Sequence, residues 1–108
     1  MSQDLEELGR FAEPSLLILV SLSNGPKHGY AMMAEAEEIG GMRLGPGTLY
    51  AALARLEARG LIEALPSDDR RRPYRLSALG ERVLRARLDR LGGLVRIGQG
   101  RLEGAARG

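Results

Sequence analysis

The sequence predicts a mainly α-helical chain that carries one small β-hairpin, an α+β fold. Apolar residues recur at helical spacing in several segments of the chain. Two short apolar runs, 61–65 and 73–76, flank a polar turn and read as strands. Glycine or proline separates the segments, as at the ends of helices. With 108 residues, the chain has room for one domain with a small core.

The N-terminal third of the chain is predicted to form an arm followed by one stable helix. Residues 1–12 are acidic and are interpreted as an N-terminal arm or a short amphipathic helix. A firmer helix begins near Pro14, because a first helical turn tolerates the missing proline N–H. It ends at Asn24-Gly25-Pro26, since glycine can close a helix and proline prevents its continuation. The residues between are apolar on most sides, so this helix should be central to the core.

Two further helices follow in the middle of the chain. One is predicted from Lys27 or His28 to Ile39, where two glycines stop it. The next begins at Pro46 and ends at Gly60. Its apolar residues lie four and three positions apart, which places them on one face. These residues are Leu49, Leu53 and Leu56.

The last helix follows the hairpin, and Ser77 is a candidate to cap it. Its apolar residues form a heptad seam, which indicates pairing with a second copy. The seam residues are Leu84, Leu88, Leu91, Val95 and Leu102. The alternative is that this stripe packs only on the chain's own first helix. Interior glycines cost about 1 kcal/mol each, so fraying or a kink is expected beyond Gly92.

The predicted order is helix, helix, helix, strand, strand, helix, which is the winged helix-turn-helix arrangement. Residues 13–76 would form the DNA-binding domain and residues 77–108 a C-terminal dimerisation helix. In this arrangement the third helix enters the major groove, and its first turn faces bases and phosphates. Pro46, Thr48 and Tyr50 occupy that turn. Thr48 and Tyr50 can donate hydrogen bonds, although a helix cap and a half-buried tyrosine would explain the same residues.

Four arginines and a second tyrosine extend the predicted DNA-contacting set. Arg55, late in the third helix, is suited either to a phosphate contact or to an ion pair with Glu57 or Glu81. Tyr30 could reach a phosphate, or it could pack in the core on Leu16 or Leu19. Guanidinium groups suit phosphates and narrow minor grooves. Three of them stand in the polar turn of the hairpin, at Arg70, Arg71 and Arg72.

Composition argues against enzymes and membrane proteins. The chain has no cysteine and one histidine, so no catalytic residue, metal site or cofactor is predicted. The longest apolar run, 16–20, is far shorter than the roughly 20 residues of a membrane span. The absence of cysteine fits a cytoplasmic location. A protein-interaction module is the remaining rival to a DNA-binding protein.

Charge is unevenly divided along the chain, which has a net charge of +2. Residues 1–42 contain two basic and seven acidic residues, a net charge of −5. Residues 43–108 contain fourteen basic and seven acidic residues, a net charge of +7. This asymmetry indicates a basic face on one part of the molecule, which favours double-stranded DNA as the partner.

Four motifs in this order resemble the PadR family of bacterial transcriptional regulators. They cover about residues 14–84 and lie at 24–30, 47–57, 60–62 and 71–80. The resemblance implies a homodimeric winged-helix repressor whose C-terminal helix forms the dimer. It implies that Tyr30, Thr48, Tyr50 and the wing arginines contact DNA. It also implies release from DNA by a small hydrophobic effector, because some members of the family respond to one.

Overall fold

The structure, a computed structural model, describes residues 14–41, 43–67 and 71–107. The predicted N-terminal arm and Arg70 lie outside these residues. Four helices and two strands follow the predicted order, with one short strand added before the second helix. The elements are α1 Pro14–Leu22, β1 Lys27–His28, α2 Gly29–Gly40, α3 Pro46–Ala58, β2 Ile62–Ala64, β3 Pro73–Leu76 and α4 Ala78–Arg107.

The sheet has three strands and not the two of the predicted hairpin. Lys27 and His28 do not open the second helix; they pair antiparallel with β3, which makes the strand order β1-β3-β2. A two-residue strand has too little sequence to show an alternating pattern, so only pairing with β3 reveals it. The hairpin of β2, β3 and their connecting turn is the wing. It is braced by Arg75, whose Nε and Nη2 both lie 2.8 Å from the Glu63 carboxylate on the opposite strand.

The core forms where α1 packs against α2, α3 and the start of α4. Helix α1 is apolar on most sides, as predicted, and its Ile18 is fully buried. The predicted stripe of α3 is confirmed, because Leu49, Leu53 and Leu56 are all buried. Ser21 is the exception among the buried side chains, since its hydroxyl has no hydrogen-bond partner in the described part of the chain.

Ser77 joins the wing to α4, as the sequence predicted. Its Oγ accepts a hydrogen bond from the Gly80 amide at 2.9 Å and donates one to the Gly60 carbonyl at 2.6 Å. Gly80 is needed here, because a Cβ at this position would lie 2.0 Å from the Leu61 carbonyl oxygen. The first turn of α4 is therefore fixed directly against the end of α3 and the start of β2.

Two predictions for α4 are corrected. Leu84 is 4% exposed and belongs to the core of its own subunit, so it is not a free interface residue. Its early position in α4 places it against α1, whereas the seam residues after it project beyond the core and are exposed. The predicted fraying is also wrong, since α4 is one continuous helix of 30 residues. The exposed apolar face is wider than predicted. It consists of Leu88, Leu91, Leu94, Val95, Ile97 and Leu102.

Candidate nucleic-acid interface

A concavity of about 720 Å³ opens where the first turns of α2 and α3 meet the wing. Five of the residues predicted to contact DNA line it. They are Tyr30, Pro46, Tyr50, Arg71 and Arg72. The other lining residues are His28, Gly29, Ala31, Met33 and Tyr74. No carboxylate is among the described residues that line the concavity, and its wall combines apolar and phenol side chains with the guanidinium groups of Arg71 and Arg72.

Close packing of α2 against α3 shapes the floor of the concavity. Gly29 is the first residue of α2 and is buried. A Cβ on Gly29 would lie 3.1 Å from Cδ2 of Leu49 and 3.3 Å from the hydroxyl oxygen of Tyr50. Both distances are shorter than ordinary van der Waals contact, so glycine allows the two helices to approach. The Tyr50 hydroxyl thereby lies against the N-terminal turn of α2, where backbone N–H groups favour anions.

Tyr30 forms the outer wall of the concavity and is 78% exposed. The alternative of a core aromatic on Leu16 or Leu19 is therefore wrong. Tyr30 follows the buried Gly29, and one helical position rotates it by about 100°, away from the core. Tyr50 is 55% exposed and stands on the α3 side. Both phenols are accessible to a ligand that enters the concavity.

Tyr74, on strand β3 of the wing, was not among the residues predicted from the sequence to form the site. It is partly buried, and its ring packs against the main core while it also lines the concavity. Burial raises the pKa of the Tyr74 phenol above its ordinary value, and the negative charge of Glu57 raises it further, whereas Arg72 lowers it. The sequence could have indicated this position, because side chains alternate between the two faces of a strand and Tyr74 therefore shares the inward face of β3 with Leu76.

The wing supplies two accessible cations. Arg71 and Arg72 are exposed and form no ion pair within the described part of the chain. They differ in this from Arg75, whose guanidinium is held by Glu63. Arg71 and Arg72 therefore stand beside the concavity, and no ion pair with another described residue occupies their hydrogen-bond donors.

The outward face of α3 carries only small side chains. Those residues are Gly47, Ala51, Ala54 and Ala58, and all of them are exposed. Tyr50 borders this face on the side of the concavity. Thr48 is also exposed but lies outside the concavity, about 160° around the helix from Tyr50. A helix with such a face can approach another surface closely, because nothing longer than a methyl group projects from its centre.

Arg55, like Thr48, lies outside the concavity that holds the other predicted DNA-contacting residues that the structure describes. It lines a second groove, of about 420 Å³, together with Arg59 and Arg87. Within the described part of the chain Arg55 forms no ion pair with Glu57 or Glu81, and Glu81 binds Arg85 at 2.9 Å. Arg55 lies seven residues beyond Thr48, so both occupy the edge of α3 that faces away from the concavity.

The described residues contain no group of three or more histidine or acidic side chains arranged to bind a metal ion. None of the described helices combines the length and the apolar character that crossing a membrane requires.

Sequence comparison places residues 18–86 in register with a family described as the transcriptional regulator PadR-like family. A relative among curated proteins is an uncharacterized 37.1 kDa protein of transposon TN4556 from Streptomyces fradiae. It is 47% identical to this chain over 75 residues, which are 69% of the chain. The chain spans 22% of that protein's length.

Solved structures share the fold. A PadR family transcription regulator from Clostridium difficile R20291 superposes with a TM-score of 0.73 at 24% identity, covering 80% of this chain and 94% of that one. A PadR family transcriptional regulator from Eggerthella lenta DSM 2243 gives a TM-score of 0.70 at 28% identity, covering 94% of this chain and 89% of that one. RosR of H. salinarum gives 0.66 at 29% identity, covering 73% and 72%.

Proposed function

Because the chain belongs to the PadR-like family of DNA-binding transcriptional regulators, we propose that it is a homodimeric repressor. In this proposal it binds a pseudo-palindromic operator in double-stranded DNA and is released by a small ligand. The observation that carries DNA recognition is the concavity. It brings together Tyr30, Tyr50, Arg71 and Arg72 beside the exposed face of α3. A regulator of transcription acts on the genome, so the proposal places the protein in the cytoplasm.

Helix α3 is the proposed recognition helix. Its small outward face, at Ala51 and Ala54, would let the helix enter the major groove deeply, because the groove is only about 12 Å wide. Alanine methyl groups make apolar contacts with the thymine methyl. Thr48 and Tyr50 border this face on opposite sides, and their hydroxyls would bind phosphate or base edges. These two residues are proposed to set the register of the helix on the DNA.

The wing is proposed to supply affinity more than sequence readout. Arg71 and Arg72 are exposed beside α3, so their guanidinium groups can bind phosphates or enter the adjacent minor groove. Arg70, in the same turn, is proposed to share this role. Phosphate contacts fix the position of a protein on DNA without reading its sequence. Pro46 would contribute by fixing the first turn of α3.

Arg55 remains a proposed phosphate contact at the far edge of α3. Its groove also contains Arg59 and Arg87, so a DNA strand that passed Thr48 would meet positive charge further along the helix. This contact is independent of the concavity. Replacement of Arg55 would therefore affect DNA affinity without changing the residues that line the concavity.

The proposed dimer forms through α4. At about 1.5 Å per residue this helix is about 45 Å long, and its second half projects beyond the subunit core. The exposed apolar side chains there, including Leu91, Leu94 and Val95, would be covered by the same face of a second copy. A two-fold dimer would present two α3 helices to half-sites about 34–36 Å apart. The resemblance to the PadR family supports the repressor role.

Selection of bound duplexes from a random DNA pool tests this function. We expect enrichment of a two-fold symmetric sequence with half-sites one helical turn apart. The matched control is a variant with alanine at Tyr30, Tyr50, Arg71 and Arg72, which should enrich nothing. An unenriched pool with the wild-type protein would leave a protein-interaction module as the better explanation of the winged fold. Enrichment of a sequence without two-fold symmetry would contradict the proposed dimer but would still support DNA binding.

A further inference from the structure

A stripe of apolar and basic side chains runs along α4 beside the proposed dimer seam. Its members are four, three, four and three positions apart, so they share one face of the helix, about 100° around from the seam. All of them are exposed. This arginine stripe consists of Val83, Arg87, Arg90, Leu94 and Ile97. Leu94 lies on the side of the stripe nearer the seam, so a second copy can contact it there as well.

The arginine stripe begins in the groove that contains Arg55. Val83 and Arg87 line that groove, and Arg87 also lines an adjacent depression of about 450 Å³ with Arg90 and Leu94. The floor of the groove is aliphatic, and no carboxylate is among the described residues that line it. Its apolar lining includes Leu16, Leu19, Leu56 and Leu61, and its basic lining consists of Arg55, Arg59 and Arg87.

Charge distinguishes the occupant of the arginine stripe from that of the seam. No seam residue is charged, so the seam can pair with the seam of a second copy. Pairing of the arginine stripe with itself would bring like charges together as apolar surface is buried, which is unfavourable. The occupant of the stripe must therefore combine apolar side chains with negative charge.

Residues 1–13 of this chain have that chemistry, and they are attached at one end of the stripe. They contain four acidic residues and one basic residue, a net charge of −3. The next residue, Pro14, itself lines the groove together with Val83. From Val83 to Ile97 the stripe is about 21 Å long, and a segment of 13 residues can extend up to about 45 Å. Its apolar residues include Leu5, Leu8 and Phe11, and its acidic residues are Asp4, Glu6, Glu7 and Glu13.

We propose that residues 1–13 lie in this groove and along the arginine stripe of their own subunit. Their apolar side chains cover the aliphatic floor, and their carboxylates bind the guanidinium groups beside it. The occupant is the segment of the same subunit and not that of a second copy, because Pro14 joins the segment directly to the groove.

Docking of the segment has a consequence for DNA binding, and this consequence rests on the proposed function. Carboxylates in the groove neutralise Arg55, the guanidinium proposed to bind a phosphate at the far edge of α3. DNA must displace them to make that contact. Segment and DNA therefore each lower the affinity of the protein for the other.

Tryptophan fluorescence of the full chain without DNA tests the docking. The chain has no tryptophan, so Phe11→Trp introduces a single reporter. We expect its emission at a shorter wavelength than in urea, with protection from acrylamide quenching. Arg87→Glu with Arg90→Glu should expose the reporter in a chain that remains folded by circular dichroism. Arg96→Glu, the same change on another side of α4, should leave the emission unchanged.

The docking is overturned if the reporter is as accessible to acrylamide in the folded protein as in urea. It is also overturned if reversal of Arg87 and Arg90 leaves the reporter buried. Reversal of Glu6 and Glu7 to arginine in that double variant should bury it again. Failure of this exchange would overturn the pairing of carboxylates with the stripe.

Mixed refolding identifies the subunit that binds the segment. Reporter chains with a normal stripe are refolded from urea with a large excess of chains that carry Arg87→Glu and Arg90→Glu but no tryptophan. Docking on the same subunit predicts an unchanged emission, whether the protein is a dimer or a monomer. Exposure of the reporter in the mixture would overturn this assignment, because the segment would then lie on the second copy.

Affinity for the selected operator tests the competition. Neutralisation of the segment by Asp4→Asn, Glu6→Gln and Glu7→Gln should raise the affinity about twofold or more. In an Arg55→Ala background this gain should disappear. An unchanged affinity, or an equal gain without Arg55, would overturn the competition. If the protein binds no DNA, the proposed function fails, whereas the fluorescence measurements still decide whether the segment docks.

Discussion

The hydroxyl oxygen of Tyr50 lies against the backbone of Gly29, so that a Cβ on Gly29 would stand 3.3 Å from it. This contact joins the N-terminal turn of α3 to that of α2. It fixes the phenol at the floor of the concavity while leaving 55% of the side chain exposed. The position of Tyr50 on the proposed DNA surface therefore depends on a glycine 21 positions earlier in the chain.

The first prediction concerns this contact. Gly29→Ala should weaken operator binding several-fold, because the added methyl group pushes the Tyr50 ring from its place. In a Tyr50→Phe background the oxygen is absent, so the same substitution should weaken binding less. A double-mutant cycle by fluorescence anisotropy measures this coupling. Gly100→Ala, which adds a methyl group in open space on α4, is the control. Equal losses in both backgrounds would contradict the proposed role of the contact.

The second prediction concerns the wing. Alanine at Arg71 and Arg72 should reduce affinity and flatten the dependence of log K on log salt concentration. The slope should fall by about 0.9 for each phosphate contact that is lost. Arg101→Ala should leave the slope unchanged. Titrations at four or more salt concentrations give the slopes, and an unaltered slope in the double variant would remove the wing from the DNA interface.

The third prediction concerns the small outward face of α3. Ala54→Glu should abolish operator binding, since a carboxylate in the centre of the recognition helix would meet the groove and its phosphates. Ala54 is exposed, so the free energy of unfolding should change by no more than about 0.5 kcal/mol. Ala86→Glu, at an exposed site on α4, should leave binding intact. A gel shift measures operator binding, and thermal unfolding shows whether the variant is still folded. Retained binding by the Ala54 variant would mean that α3 does not enter the groove.

The fourth prediction separates core from interface along α4. Leu84→Ala should lower the free energy of unfolding by about 2–5 kcal/mol, the range for buried leucines. Val95→Asp, at a side chain that is 53% exposed, should instead convert the dimer to a folded monomer. Sedimentation at micromolar concentration and circular dichroism distinguish the two effects. A wild-type monomer would refute the dimer, and a dimeric Val95→Asp variant would refute this seam.

The fifth prediction follows from the environment of Tyr74. Burial and Glu57 raise the pKa of its phenol above the ordinary 10.0, so the folded protein holds this proton more tightly than the unfolded chain. The resulting stabilisation is fully present below pH 10 and is lost as pH rises through the folded pKa. In a phenolate absorbance titration, Tyr74→Phe should therefore remove a step that lies above pH 10. If that variant removes a step at or below pH 10, burial does not control this group.

The spacing of apolar residues and the positions of glycine and proline were sufficient to predict the helices and the wing strands. Pro46 and Gly60 delimit α3, and β3 begins at Pro73 as predicted, because these residues restrict the backbone locally. The spacing of Leu49, Leu53 and Leu56 predicted the buried face of α3 for a similar reason. A helix rotates by a fixed angle per residue, so spacing alone defines a face.

The position of a residue in the sequence was insufficient to predict its surroundings where these come from elements that are distant in the chain. Leu84 continues the seam in sequence, but α1 covers it in the fold. Lys27 and His28 carry no strand pattern, and they form a strand only because β3 lies beside them. Arg55 shares a helix with Tyr50 yet lies in a different groove, since five residues of an α-helix turn it to another side.

The sequence by itself determined the order of the four helices and the two wing strands, the family and the candidate residues, because these depend on local propensity and on motifs in a fixed order. Only the tertiary structure decided which candidates lie together. Tyr30, Tyr50 and Tyr74 lie 20 and 24 positions apart in the chain. They meet in one concavity because Gly29 lets α2 and α3 approach and because β3 brings Tyr74 to the same place. Packing across these elements, which no local pattern encodes, assembles the site.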